Sequence, residues 1–171
     1  MPEASIHFIT GGQRSGKSEY AERLALEQST NPVYLATSKV WDEEYGKRIE
    51  VHQQRRSTNW ETVEEEIELS QHDFSQRVVL LECITLWLTN IYTQQAFEQE
   101  ASFAAACEEW DKLTRQHTSL IVVSNEIGLG TVPMDKGTRA FVDLQGKMNQ
   151  RIANDASRVT FVVSGIPWQI K

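Results

Sequence analysis

Five short apolar runs rich in β-branched residues recur along the chain, at 6–10, 33–37, 78–83, 120–125 and 159–164. Runs of this length are the mark of strands buried on both faces. Between them lie longer segments with apolar positions three or four apart, at 17–28, 42–57, 84–92, 97–117 and 138–155, which predict helices. The alternation of strand and helix predicts an α/β fold, a mainly parallel sheet with helices on both faces. The acidic stretch 61–68 fits a solvated helical face. No repeat, low-complexity segment or Pro/Ser-rich linker divides the chain, so residues 1–171 are expected to form a single domain.

Composition narrows the partners. Asp and Glu outnumber Lys and Arg by 24 to 17, giving a net charge of −7 in a chain of 171 residues. That balance opposes nonspecific attraction to nucleic acid or to an anionic membrane, both polyanions, so any phosphate site has to be built locally. The N-terminal residues carry no basic segment leading into an apolar run, and the longest apolar stretches are too short to span a bilayer. A cytoplasmic location without stable membrane insertion is expected. Cys83 and Cys107 belong to no wider disulfide framework and are expected as buried free thiols.

The first strand runs into Gly11-Gly12-Gln13-Arg14-Ser15-Gly16-Lys17-Ser18. This is the eight-residue phosphate-loop pattern in the context it requires, a strand before and a helix after. The fold expectation sharpens to P-loop NTPase-like. Glycines let backbone N–H groups converge on a phosphate, and the helix behind adds the positive end of its dipole. Lys17 supplies charge at the β- and γ-phosphates, and the Ser18 hydroxyl is a ligand for Mg²⁺. Glu82, at the end of the third apolar run, is placed to hold that ion from the neighbouring strand.

Other P-loop classes fit less well. The Asn-Lys-x-Asp guanine motif of regulatory GTPases is missing, and Asp143-Leu144-Gln145-Gly146 spells a switch motif inside a helical pattern rather than after a strand. Small-molecule kinases and nucleotidyltransferases remain. Helical spacing over 42–57 puts Arg48, His52 and Arg55 or Arg56 on one stripe, a locally positive surface with an imidazole that, when neutral, is a nucleophile for phosphorus.

Several further segments stand in a telling order: Ala36-Thr37-Ser38, Arg48-Ile49-x-x-His52, Trp60-x-Thr62-x-Glu64, Leu80-Leu81-Glu82-Cys83 with Thr85 and Asn90, and Ser124-Asn125-Glu126-x-Gly128-x-Gly130-x-x-Pro133. Arg139-x-Phe141-x-Asp143, Gly146-x-x-Asn149-Gln150 and Val163-Ser164-Gly165-Ile166-Pro167 follow. With the phosphate loop, this set resembles the bifunctional adenosylcobinamide kinase and adenosylcobinamide-phosphate guanylyltransferase family of cobalamin assembly. The resemblance runs from about residue 6 to the C-terminus. It departs from the usual pattern at Glu66, where Pro is common, at Val142, where Arg is common, and at Glu82, where Asp is more frequent.

The resemblance implies an enzyme that phosphorylates adenosylcobinamide with ATP or GTP and then transfers GMP from GTP to the product. It assigns the guanylylated histidine to His52. Nucleotide contacts fall on Gly11, Gly12, Gln13, Arg14, Ser15, Gly16, Lys17 and Ser18, on Ala36, Thr37 and Ser38, on Gln53, Gln54, Arg55 and Arg56, and on Glu64 and Glu82. Lys17 joins His52 as catalytic, Ser18 and Glu82 hold Mg²⁺, and a homo-oligomer, expected as a trimer, is the implied assembly. A monofunctional small-molecule kinase that leaves His52 unused is the competing reading of the same residues, and a slow nucleotide-dependent switch is the third.

Overall fold

The computed structural model describes residues 4–38 and 59–171. Seven strands form one sheet: β1 (Ser5–Gly11), β2 (Val33–Ala36), β3 (Glu61–Glu64), β4 (Val78–Glu82), β5 (Ser119–Asn125), β6 (Arg158–Val163) and β7 (Ile166–Gln169), in the order β3-β2-β4-β5-β1-β6-β7. All neighbours are parallel except β6 and β7, which form an antiparallel hairpin at one edge. The helices are α1 (Lys17–Gln28), α2 (Ile84–Gln94), α3 (Gln99–Thr114) and α4 (Lys136–Asp155), with a 3₁₀ turn at Leu69–Gln71. The predicted helix 42–57 lies outside the described residues.

Alternation along the strands sorts the core into two layers. Ile6, Phe8, Leu35, Val79, Leu81, Leu120 and Val122 point to one face, where Trp87 and Leu88 of α2, Trp110 and Leu113 of α3, and Met148 and Ile152 of α4 cover them. Ile9, Tyr34, Leu80, Ile121 and Val123 point to the other, where they meet Ala21 and Ala25 of α1. The two buried tryptophans find partners for their indole N–H groups, Trp87 at the Ile67 carbonyl (2.9 Å) and Trp110 at Asp155 Oδ2 (2.9 Å). A buried indole without such an acceptor would carry the desolvation cost of its N–H.

Two edge strands depart from expectation. Residues 61–64 form β3, an edge strand paired with β2, rather than a helical face. Glu61, Thr62 and Glu64 are exposed and only Val63 turns toward the core. Glu65 then ends the strand by accepting from the Ile67 and Glu68 N–H groups, both at 2.9 Å. At the opposite edge β7 carries Pro167, which an edge strand tolerates because its missing N–H breaks no inner ladder. Asp143 and Gly146 lie within α4, so the apparent switch motif is a coincidence of spelling.

Candidate nucleotide site

The phosphate loop sits where β1 gives way to α1, between the carboxyl ends of β5 and β6. Its shape depends on close approach. A Cβ on Gly11 would lie 2.5 Å from the Val162 carbonyl oxygen and 2.7 Å from Ser15 Oγ, so only glycine lets β1 enter the loop this near to β6. Gly16 caps α1 with a left-handed φ of 92°, and Arg14 turns the loop outward with φ 55°. The loop is braced from the β6–β7 turn: Gly165 N–H donates to the Ser15 carbonyl at 2.7 Å. On the other side Glu126 N–H donates to the Gly11 carbonyl at 3.0 Å.

Lys17 is buried and folds back over the loop, donating from Nζ to the Gly12 carbonyl at 2.9 Å. Burial lowers its pKa, while the Glu82 carboxylate and Cys83 pull in the opposite direction. Ser18 Oγ donates to Glu82 Oε1 at 2.6 Å. Two side-chain oxygens from sequence-distant elements therefore meet beside the loop. Ser15 Oγ is buried with no hydrogen-bond partner among the described residues, a hydroxyl suited to an incoming anionic oxygen.

A second group of expected residues gathers at the ends of β2 and β4. Thr37 is fully buried; its N–H donates to the Glu82 carbonyl at 3.1 Å, and its hydroxyl both donates to the Cys83 carbonyl (2.8 Å) and accepts from the Cys83 N–H (2.9 Å). Asn90, buried on α2, donates to the Thr37 carbonyl at 2.9 Å and the Glu66 carbonyl at 3.0 Å. The ends of β2, β3 and β4 are thus tied together, and Ala36, Ser38 and Glu64 sit at this clamped edge. Burial, with Glu82 close by, pushes the Cys83 thiol up to about 11. It is a free, buried thiol, as expected, whereas Cys107 is free and half-buried.

A third cluster supports the end of β5. Ser124 Oγ donates to Asn149 Oδ1 (2.7 Å), Gln145 Nε2 donates to Ser124 Oγ (2.7 Å), and Asn149 Nδ2 reaches the Asn125 carbonyl (3.2 Å). Asn125 in turn donates through Nδ2 to Thr85 Oγ1 at 3.1 Å. The expected site residues His52, Gln53, Gln54, Arg55 and Arg56 lie outside the described residues. Sequence reasoning missed the loop's brace at Gly165, although Ser164-Gly165-Ile166-Pro167 stood out as a motif. Thr37's role as a hydrogen-bonded bridge was also invisible, because its hydroxyl's partner, Cys83, lies far along the chain between β4 and α2. Trp60 packs edge-on against Tyr34, with ring centroids 5.9 Å apart.

A mainly parallel α/β sheet whose first strand delivers a phosphate loop, with the loop serine bonded to a carboxylate at the end of a nearby strand, defines a P-loop enzyme acting on nucleotides. The family profile described as "Cobinamide kinase / cobinamide phosphate guanyltransferase" matches residues 7–170, and the chain belongs to that family. It is 41% identical to the bifunctional adenosylcobalamin biosynthesis protein CobP of Pseudomonas aeruginosa, over 96% of each chain. It is 39% identical to the bifunctional adenosylcobalamin biosynthesis protein CobU of Escherichia coli, over 96% of this chain and 98% of the relative.

Proposed function

We propose that this chain catalyses two successive transfers. In the first, the aminopropanol hydroxyl of adenosylcobinamide attacks the γ-phosphorus of ATP or GTP, and the bond to the β-phosphate oxygen breaks. In the second, a His52 ring nitrogen attacks the α-phosphorus of GTP and pyrophosphate leaves. The phosphate of adenosylcobinamide phosphate then displaces the histidine, giving adenosylcobinamide-GDP. The observation that carries this reading is the Ser18–Glu82 hydrogen bond beside a complete phosphate loop, in a chain matched to the family over residues 7–170.

The proposed parts combine the geometry of the phosphate loop with the roles that the family resemblance implies. The loop's backbone N–H groups and the N-terminus of α1 hold the polyphosphate, and Lys17 answers the charge that develops on the transferring group. Ser18 Oγ and Glu82 Oε1, 2.6 Å apart, form a hard oxygen pair of the kind that suits Mg²⁺, which keeps most of its own waters. Among the described residues no group of three or more His, Cys, Asp or Glu side chains gathers. When bound, the ion neutralises charge on the phosphate oxygens. Ala36, Thr37, Ser38, Glu64, Gln53, Gln54, Arg55 and Arg56 contact the nucleotide in this reading. A homo-oligomer is the assembly proposed.

The test separates the two reactions. His52→Asn keeps approximate size but forms no phosphoramidate, so guanylyl transfer and protein labelling from GTP radiolabelled at its α-phosphorus should both be lost while kinase activity largely persists. The wild-type label should be released by mild acid and resist alkali. Labelling that survives in His52→Asn would point to another nucleophile, and a labelled protein that never forms would favour a monofunctional kinase.

A further inference from the structure

Between β5 and α4 the chain leaves the sheet at the same edge as the phosphate loop, joined to it by the Glu126 N–H to Gly11 carbonyl bond. Here it displays large apolar side chains to solvent: Leu129 is 73% exposed, Val132 79% and Met134 98%, with Ile127 beside them at 37%. Scattered exposed aliphatics need no explanation, but four within eight residues make a patch. The backbone beneath them is held firmly. Arg139 Nη1 donates to the carbonyls of Pro133 (2.8 Å) and Met134 (2.6 Å), and Asp135 caps α4 by accepting from Thr138 N–H at 2.7 Å. At the other end the Glu126 N–H bond to the Gly11 carbonyl ties the segment to the phosphate loop, and Gly128 N–H donates to Glu126 Oε1 at 3.4 Å. A segment anchored at both ends presents these side chains by construction.

We propose that residues 126–134 form the platform on which the corrin ring of adenosylcobinamide rests, a proposal that depends on the kinase function argued above. A kinase must bring the acceptor hydroxyl to the γ-phosphate, so the body of the acceptor has to lie on the sheet edge that carries the phosphate loop. A corrin is a broad conjugated ring with apolar faces and a fringe of amide side chains. Leu129, Val132 and Met134 suit the ring face, and nothing lies within 4 Å of the position a Cβ would take on Gly130, which leaves its backbone open to the amide fringe. A nucleotide's triphosphate and ribose would gain nothing from such an aliphatic surface, and a single purine face covers less of it than a corrin does. The continuity of the segment with the phosphate loop makes the corrinoid, rather than a remote partner, its occupant.

The test is the double variant Leu129→Ser/Val132→Ser, compared with Leu129→Ile/Val132→Ile. Both positions are exposed, so folding should be unaffected. Equilibrium dialysis read by corrinoid absorbance, kinase kinetics and sedimentation would be measured together. The serine variant should weaken adenosylcobinamide binding and raise its KM roughly 10- to 100-fold, the loss expected from two apolar contacts. The KM for the nucleotide should stay within about twofold, and the isoleucine variant, which keeps the surface apolar, should lose much less corrinoid affinity than the serine variant. An unchanged corrinoid KM would overturn the proposal. A serine variant whose sedimenting mass changed along with its KM would also overturn it, marking the segment as a contact between copies of the chain. A wild-type protein that neither binds nor phosphorylates adenosylcobinamide would sink the kinase reading itself, and would do so before any variant was made.

Discussion

At Lys17, burial and charge pull in opposite directions: desolvation disfavours the ammonium, and Glu82 and Cys83 favour it. The ammonium answers part of that cost by donating to the Gly12 carbonyl. A polyphosphate offers it charged acceptors, which are stronger partners for an ammonium than a carbonyl. Lys17→Ala should lower both kinase and guanylyl-transfer rates by at least about 100-fold, the scale seen when a charge-stabilising donor is removed. A correctly folded variant that retains either activity would reveal a second nucleotide site. Glu82→Gln keeps the shape and the Ser18 hydrogen bond but gives up the charge. The Mg²⁺ concentration for half-maximal rate should rise about tenfold or more in a metal titration; an unchanged titration would make Glu82 a structural residue.

Among the elements, the loop from β1 to α1 has the narrowest tolerance. Gly11→Ala would drive a Cβ into the backbone carbonyl of Val162, an atom that cannot swing aside. Calorimetry should show a loss of roughly 1–3 kcal/mol, a Tm lower by several degrees in a chain of this size. Gly12→Ala is the control, since its Cβ would enter open space and leave the Tm nearly unchanged. The inner strands were legible in the sequence because each is buried on both faces and so written in apolar residues. The edge strands were not: β3 turns one side chain, Val63, toward the core, and β7 is a four-residue strand interrupted by Pro167. Glu82 could be found because a carboxylate closing an apolar run is a local signal. The brace from Gly165 to Ser15 is not local, since it joins residues at nearly opposite ends of the chain.

For the molecule as a whole, the clamp at the ends of β2 and β4 links stability to pH. The Cys83 thiol has its pKa raised from 9.0 to about 11 in the fold, chiefly by burial. Its neutral form is the one the folded state accepts, so the contribution of this thiol to stability is fully present below pH 9.0 and is lost as the pH climbs toward about 11. The loss amounts to about 3 kcal/mol once both states have titrated. Thermal melts at several pH values in this window should show a steeper decline for wild type than for Cys83→Ala, in which this titration is gone. Parallel curves would mean that the thiol is not what limits alkaline stability.

The sheet order also sets a timetable. β1 lies near the beginning of the chain, yet it pairs on one side with β5, Ser5 opposite Ser119, and on the other with β6, His7 opposite Arg158. Every ladder bond of this strand closes a long loop, and folds dominated by such distant pairings are slow to form. Eight consecutive residues encode the phosphate loop, but Glu126 and Gly165 hold it in shape, so it matures only when the latter half of the chain has come into place. A ligand that fits this loop therefore adds its binding free energy to the state in which those distant strands are paired.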